Sequence, residues 1–194
     1  MNQTSHTLLF RVHHLGDADA WVRLVGLYRP FVHGWLRRRG VAEADADDLT
    51  QDVMAVLVKE LPKFAHNGRP GAFRTWLREI TSRRGHHFWR TRGARPIATG
   101  DGPIAGLMER LVDGRSDLSR LWDEEHNQYL VARALKVVAA EFEPRQCEAF
   151  LRLAHGGVKA AEVAAAFGVR VGTVYSWHSR IAARLREELE GLID

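Results

Sequence analysis

Side chains suited to reading DNA are concentrated near the end of the sequence. They are hydrogen-bonding or cationic groups, namely Arg170, Thr173, Tyr175, Ser176, His178, Ser179 and Arg180. Base edges in a major groove present hydrogen-bond donors and acceptors, and phosphates attract arginine. A buried helical hairpin would not need a polar, arginine-bearing outer face. The residue types in this segment therefore favour contact with nucleic acid.

Two helices joined by a tight turn are predicted to position these side chains. An alanine-rich helix over 160–167 should end at Gly168, because glycine tolerates a positive φ without steric cost. A longer helix should begin near Gly172. Apolar residues recur at helical spacing and point into one core; they are Val163, Phe167, Val169, Val174, Trp177 and Ile181. The pattern predicts a helix-turn-helix in which Trp177 packs against the preceding helix.

Two blocks of opposite charge lie earlier in the chain. Residues 43–60 contain six acidic residues and one basic residue, whereas residues 69–95 contain eight arginines and one acidic residue. Adjacent blocks of opposite sign indicate different partners for two faces of the protein. The chain as a whole has a formal charge of +4, so the distribution of charge is more informative than its total.

The acidic block is predicted to form a helix over 45–61. Leu49 and Val53 lie in its apolar stripe, and the opposite face carries candidate partner-binding groups, namely Asp47, Asp48, Gln51 and Asp52. One helix face lacks the convergent loop oxygens that Mg²⁺ and Ca²⁺ sites use. The neighbouring His86 and His87 make a poor chelating pair, because successive helical side chains point about 100° apart. We therefore predict no metal site and no cofactor.

Helical periodicity covers most of the remaining chain. Further helices are predicted over 17–39, 72–89, 118–141 and 144–154. Pro30 should kink or interrupt the first of them, and Trp76 falls in the apolar stripe of the second. Between the helix predicted over 72–89 and the one over 118–141, glycines and prolines indicate a linker with a short helix around 104–111.

The predicted fold class is all-α, with two small helical domains, 1–92 and 118–194, joined by a flexible linker over 93–117. The single Cys147 excludes an intramolecular disulfide and leaves no cysteine cluster for zinc. No apolar run approaches the length of a membrane span, and the polar start lacks the regions of a signal peptide. We expect a soluble, cytoplasmic protein without membrane insertion.

Several motifs in order resemble the extracytoplasmic-function (ECF) subfamily of bacterial RNA polymerase sigma factors. They are DADDLTQDV from Asp45, FRTWLREI from Phe73, FEPRQCEAF from Phe142 and AAEVAAAFGVRVGTVY from Ala160. The resemblance implies a protein that is not an enzyme. It would bind core RNA polymerase through the β′ and β subunits, direct it to promoter DNA and help to open the duplex. Because many relatives are silenced by an anti-sigma protein, such a protein is a further candidate partner.

The resemblance also assigns roles to residues. The acidic helix would dock on a coiled coil of β′, and the helix-turn-helix would read the promoter −35 element. The −10 element would be held by cationic, polar and aromatic side chains, namely Lys63, Phe64, His66, Asn67, Arg69, Arg74, Arg78, Arg83, Arg84, His87 and Arg90. Relatives often carry Asn and Asp where this chain has Arg83 and His87.

Two other classes of protein are alternatives to this interpretation. A stand-alone helix-turn-helix regulator would carry a ligand-binding or phosphoacceptor domain in front, and residues 17–92 have no alternating strand and helix pattern. A hydrolase or nuclease would need a nucleophile–base motif or metal-binding spacing, and neither is present among the ten histidines. The regulator therefore remains the alternative.

Overall fold

The computed structural model describes residues 8–15, 17–64, 71–91, 103–155, 157–190 and 192–193. Within those ranges the regular structure is α-helix, with one short 3-10 turn at Leu61–Lys63 and no strand. This confirms the predicted all-α fold class. None of the helices in these ranges is both long and apolar enough to cross a membrane.

The chain forms two compact units, Met1–Tyr129 with Gly191–Asp194, and Leu130–Glu190. The first contains α1 (Leu8–Leu15), α2 (Ala18–Arg38), α3 (Glu43–Glu60), α4 (Ala72–Thr91) and α5 (Pro103–Val112). The helix α6 (Asp117–Ala139) starts in the first unit and ends in the second, which continues with α7 (Pro144–Ala154), α8 (Ala160–Phe167) and α9 (Val171–Leu189). The first unit thus extends beyond residue 92, where the sequence predicted its end. Of the predicted linker, residues 93–102 lie outside the described part.

The helix α2 begins at a side-chain cap and passes through a proline. The Asp17 carboxylate accepts hydrogen bonds from the backbone N–H groups of Asp19 and Ala20 at 3.0 and 3.1 Å. Of the predicted kink or interruption at Pro30, the interruption is wrong, because the helix continues to Arg38. Proline has no backbone N–H, so the carbonyl of Gly26, four residues earlier, lacks its usual helical hydrogen bond. Pro30 and Gly26 are both exposed, so water can satisfy that carbonyl.

The core of the first unit is built from apolar stripes on α2, α3 and α4. The α3 stripe of Leu49, Val53 and Leu57 is completely buried. On α4 the residues Leu77 and Ile80 are equally buried. These stripes leave the opposite faces of α3 and α4 for polar side chains, as the periodicity predicted.

The short helix predicted inside the linker forms as α5 and packs closely on α4. Gly85 allows this approach, because a Cβ placed there would lie 2.5 Å from the Sδ atom of Met108. The Ser82 hydroxyl donates a hydrogen bond to the Met108 carbonyl at 2.7 Å, and Met108 itself is fully buried. The segment that the sequence assigned to a flexible linker is therefore partly an integral element of the first unit.

The first half of α6 packs on α2. Trp122 is fully buried, and its ring centroid lies 4.9 Å from those of both Phe31 and Trp35. Near the division between the units, the Tyr129 hydroxyl donates a hydrogen bond to the Leu27 carbonyl at 3.0 Å. Burial of large aromatic rings is worth several kcal/mol in total, so this half-helix contributes to the core.

The second unit contains the helix-turn-helix that the sequence predicted. The helix α8 has the predicted bounds and ends at Gly168, whose φ of 63° is the left-handed conformation expected there. A shared core joins α7, α8 and α9; it consists of Ala149, Ala160, Val163, Ala164, Val174 and Trp177. The expected packing of Trp177 is confirmed. Ile181 belongs instead to a neighbouring cluster with Val138 and Phe150.

Candidate nucleic-acid and partner interfaces

The polar face of α3 is directed away from the core. Asp47, Asp48 and Gln51 are exposed, whereas Leu49 and Val53 on the other side of the helix are completely buried. An acidic first turn is also favoured by the helix dipole, which stabilises carboxylates near the N-terminus. The exposed carboxylates form a negatively charged surface that a basic partner could contact.

Asp52, the fourth candidate on α3, is engaged within the protein. Its Oδ2 atom lies 3.0 Å from Nη2 of Arg84, a residue that the sequence assigned to DNA. A second, longer pair joins Arg83 to Glu60, with 3.9 Å between Nη2 and Oε2. These two pairs connect the polar sides of α3 and α4, which the sequence treated as separate sites.

The candidate residues around the 3-10 turn are described in part. Lys63 is exposed, and Phe64 is half-buried, with its ring centroid 4.8 Å from that of Trp76 and 5.9 Å from that of Phe73. Trp76 is half-buried too, so it occupies the edge of the core rather than its centre. The three loop candidates lie outside the described residues; they are His66, Asn67 and Arg69.

The basic residues of α4 divide between two sides of the helix. Arg83, His87 and Arg90 are exposed along one stripe, at spacings of three and four residues that place them on one face. Arg74 and Arg78 lie on the other side and are largely buried, with only 15% and 8% of their side chains exposed. The exposed stripe is the part of α4 that an external phosphate backbone could reach directly.

Acidic and amide side chains of α6 bind Arg74 and Arg78. Asp123 Oδ1 lies 3.0 Å from Arg74 Nε and 3.1 Å from Arg78 Nη1. Arg74 Nη1 also donates a hydrogen bond to the Asn127 side chain at 2.9 Å. Sequence reasoning missed these partners, since they are about fifty positions away, although the acidic run that begins at Asp123 offered a complementary charge.

A second acidic residue of α6 binds the C-terminal end of α2. Glu125 lies 2.8 Å from Arg38 and 2.8 Å from Arg39. Burial opposes the charge on this carboxylate, but hydrogen bonds from Arg39 and Arg38 outweigh it and lower the pKa of Glu125 below its ordinary value. The first half of α6 is thus joined to the unit by ion pairs as well as by Trp122.

The exposed face of α9 carries most of the predicted −35 candidates. Arg170, Tyr175, Ser176, Ser179 and Arg180 are exposed, and Thr173 is half-buried. The guanidinium of Arg180 lies 5.6 Å from the ring centre of Phe142. In contrast, the imidazole of His178 is half-buried, with its centroid 5.1 Å from the ring of Phe150. His178 therefore contributes to the packing of α9 on α7 at least as much as to the outer face of α9.

A protein-family comparison covers the surfaces of α3 and α4. Residues 24–95 match the family model of sigma-70 region 2. The match extends from within α2 to just beyond α4, so it contains the acidic face of α3 and the basic stripe of α4. This segment is similar to sigma-70 region 2, and the match confirms the predicted resemblance to sigma factors.

Comparisons with whole proteins add less. No curated protein matches the chain at a significant level. Among solved structures, the RsbN–BldN complex at 1.8 Å contains a chain that is 21% identical. The match covers 91% of this chain and 96% of that one, with a TM-score of 0.34, a value too low to carry a structural argument.

Proposed function

We propose that the chain is a sigma factor of the ECF type, which binds core RNA polymerase and directs it to promoters. The observation that carries the proposal is the sigma-70 region 2 match over residues 24–95, which coincides with the charged surfaces of α3 and α4. The helix-turn-helix of the second unit supplies the other DNA-binding element that the resemblance requires. In this role the chain binds and positions other molecules and catalyses no reaction itself.

The exposed face of α3 is the proposed contact with the β′ coiled coil. Asp47, Asp48 and Gln51 are exposed on that face, and charge complementarity with a basic partner would speed and orient docking. Asp52 would reach the same partner only by sharing its carboxylate with Arg84. We therefore assign the main docking role to the three residues that are more exposed than Asp52.

The surface from the 3-10 turn along α4 is the proposed contact with the −10 element. Phe64 and Trp76 form an aromatic pair on which a melted base could stack, and His66, Asn67 and Arg69 follow Phe64 closely in the sequence. Lys63, with Arg83, His87 and Arg90 further along, would bind phosphates of the single strand. Arg74, Arg78 and Arg84 would contribute only after releasing their carboxylate partners.

The exposed face of α9 is the proposed reader of the −35 element. Arg170 and Arg180 would bind phosphates or guanine, while Thr173, Tyr175, Ser176 and Ser179 would bond base edges and the backbone. His178 would contribute from the side of the helix. The β subunit and an anti-sigma protein are further proposed partners, carried by the resemblance alone. A cytoplasmic location follows from the proposed role, since polymerase and promoter DNA are found there.

Binding to core polymerase tests the proposal. The purified chain and core RNA polymerase from the source organism would be mixed and separated on a sizing column. We expect a stoichiometric complex that elutes ahead of free chain. If a folded, inhibitor-free chain does not co-elute, and instead binds duplex DNA alone with nanomolar affinity, the stand-alone regulator replaces the sigma factor.

A further inference from the structure

Three metal-ligating side chains meet where α2 passes the start of α3. His33 lies in the second half of α2, and Glu43 and Asp47 lie in the first turns of α3 at a spacing of four residues. That spacing places both carboxylates on one side of the helix, facing the imidazole. One ligand atom from each residue lies within 4.8 Å of the other two.

The distances in this cluster fit metal ligation better than hydrogen bonding. The Nε2 atom of His33 lies 3.5 Å from Glu43 Oε1 and 3.4 Å from Asp47 Oδ1. Good N–H···O hydrogen bonds are shorter, at about 2.7–3.2 Å. Two ligands held about 2.0–2.1 Å from one tetrahedral ion are separated by about 3.3–3.5 Å. The imidazole nitrogen therefore stands at a ligand-to-ligand separation from both oxygens.

The His33 nitrogen also lacks any other use in the described structure. Its Nε2 atom is buried and makes no hydrogen bond, although the side chain as a whole remains 26% exposed. A buried polar atom without a partner is costly, and a bound cation would satisfy it. The cluster is therefore more than a pair of surface carboxylates.

A neighbouring arginine orients one of the carboxylates. Arg37 Nε lies 2.7 Å from the Oε2 atom of Glu43, which leaves Oε1 directed at His33. Outer contacts of this kind commonly hold metal ligands in place. Glu43 and Asp47 are more than half exposed, so water can fill a fourth coordination position from the solvent side.

We propose that His33, Glu43 and Asp47 bind one divalent transition-metal ion of the zinc class. A nitrogen donor with two carboxylates suits zinc, cobalt or manganese better than Mg²⁺ or Ca²⁺, which prefer oxygen alone. The expectation of no metal site considered the carboxylates of α3 by themselves, and the third ligand comes from α2. The ion would fix the start of α3 to α2, and it would also take up the charge of Asp47. The site shares Asp47 with the proposed polymerase contact, but its existence does not depend on the sigma-factor role.

Cobalt and zinc titrations of the full-length, tag-free, chelator-treated chain test the site. We expect one Co²⁺ per chain with the visible absorption of a tetrahedral complex, displaced by Zn²⁺, and a rise in melting temperature with Zn²⁺. His33→Leu and Glu43→Gln should each weaken Zn²⁺ binding at least tenfold in calorimetry. Because the chain has ten histidines, the matched control is His155→Leu at an exposed position directly after α7, which should bind as the unchanged chain does.

The same variants decide against the site if they behave otherwise. Circular dichroism and melting in chelator establish first that His33→Leu is folded, so that lost binding is not lost structure. Zn²⁺ affinity unchanged in both His33→Leu and Glu43→Gln would assign the binding to other histidines and overturn the proposal. Failure of the unchanged chain to bind Co²⁺ or Zn²⁺ saturably at 100-fold molar excess would overturn it as well.

Discussion

At the scale of single residues, Asp48 offers the clearest test of the α3 surface. It is exposed on the side of the helix away from Leu49, so its replacement leaves the buried stripe of α3 unchanged. We expect Asp48→Lys to weaken binding to core polymerase by tenfold or more, because like charges opposed across an interface cost about 1–3 kcal/mol. Fluorescence anisotropy of labelled chain measures this affinity.

The control for that variant is Glu109→Lys, a charge reversal at an exposed position on α5. Glu109→Lys should melt within a degree or two of the unchanged chain, since surface substitutions usually change stability by less than about 0.5 kcal/mol, and circular dichroism shows whether Asp48→Lys is folded. Equal polymerase affinity for Asp48→Lys and Glu109→Lys would remove α3 from the proposed interface.

His126 makes the stability of the first unit sensitive to pH. Its imidazole is fully buried between Tyr28 and Phe31, and burial lowers its pKa to about 4; the Asn127 side chain opposes this shift and Arg74 adds to it. An unfolded chain takes up this proton near pH 6.5. Between these values the unfolded state binds more protons, so stability falls as the pH is lowered.

We expect the free energy of unfolding to drop by roughly 2–3 kcal/mol between pH 7 and pH 4.5 on account of His126. His126→Phe, which suits an aromatic surrounding, should flatten that part of the profile. Urea unfolding at several pH values measures it. The lowered pKa of Glu125 keeps that carboxylate charged through this range of pH, so Glu125 does not contribute to the drop. Parallel profiles for both proteins would show that His126 is not buried as described.

At the scale of elements, the approach of α5 to α4 depends on Gly85. A methyl group there would meet the side chain of Met108, which is fully buried. We expect Gly85→Ala to lower the free energy of unfolding by about 1–3 kcal/mol, as overpacking does. The measurement is urea unfolding followed by circular dichroism.

Gly26 supplies the matched control, because it is also helical but has nothing within 4 Å of an added Cβ. Gly26→Ala should stabilise the protein by about 0.5–1 kcal/mol through helix propensity. If both alanine variants stabilise equally, α5 is not seated on α4.

How far the elements could be predicted depended on whether local sequence determined them. The bounds of α8 followed from an alanine-rich period and the left-handed turn at Gly168, which are local features. Pro30 does not interrupt α2, because the cost of a helical proline depends on whether solvent can reach the freed carbonyl. The packing of the first half of α6 within the first unit depends on contacts such as that of Trp122 with Trp35, which are distant in sequence and form only in the fold.

The candidate sites divide in the same way. Exposure of Asp48 and Gln51 followed from the opposite stripe on one helix, and helical periodicity was enough to predict it. The pairing of Arg78 with Asp123 was not predictable, since charge alone cannot distinguish a DNA-binding arginine from one held by a distant carboxylate. Residue type indicates chemistry, and burial decides whether an outside partner can use it.

At the scale of the whole molecule, the extent of the first unit can be tested by truncation. A fragment of residues 1–92 lacks buried residues of α5 and α6, among them Met108, Leu111, Leu118 and Trp122. Each such side chain contributes about 1.5–3 kcal/mol, so their loss would consume much of a typical stability of about 5–15 kcal/mol. We expect fragment 1–129 to unfold cooperatively and fragment 1–92 to melt at a much lower temperature or without a cooperative transition.

Thermal unfolding followed by circular dichroism compares the two fragments under identical conditions. The outcome also bears on function, because residues 1–92 contain nearly the whole sigma-70 region 2 match. A fragment 1–92 as stable as fragment 1–129 would mean that α5 and α6 are not part of the folded core.

The central claim is that the chain gives core polymerase its promoter specificity. The measurement is transcription from fragmented genomic DNA of the source organism by core polymerase, with and without the chain, with RNA 5′ ends mapped by sequencing. We predict defined start sites that appear only with the chain and share spaced −10 and −35 motifs. A chain that leaves the pattern of start sites made by core polymerase unchanged would contradict the account.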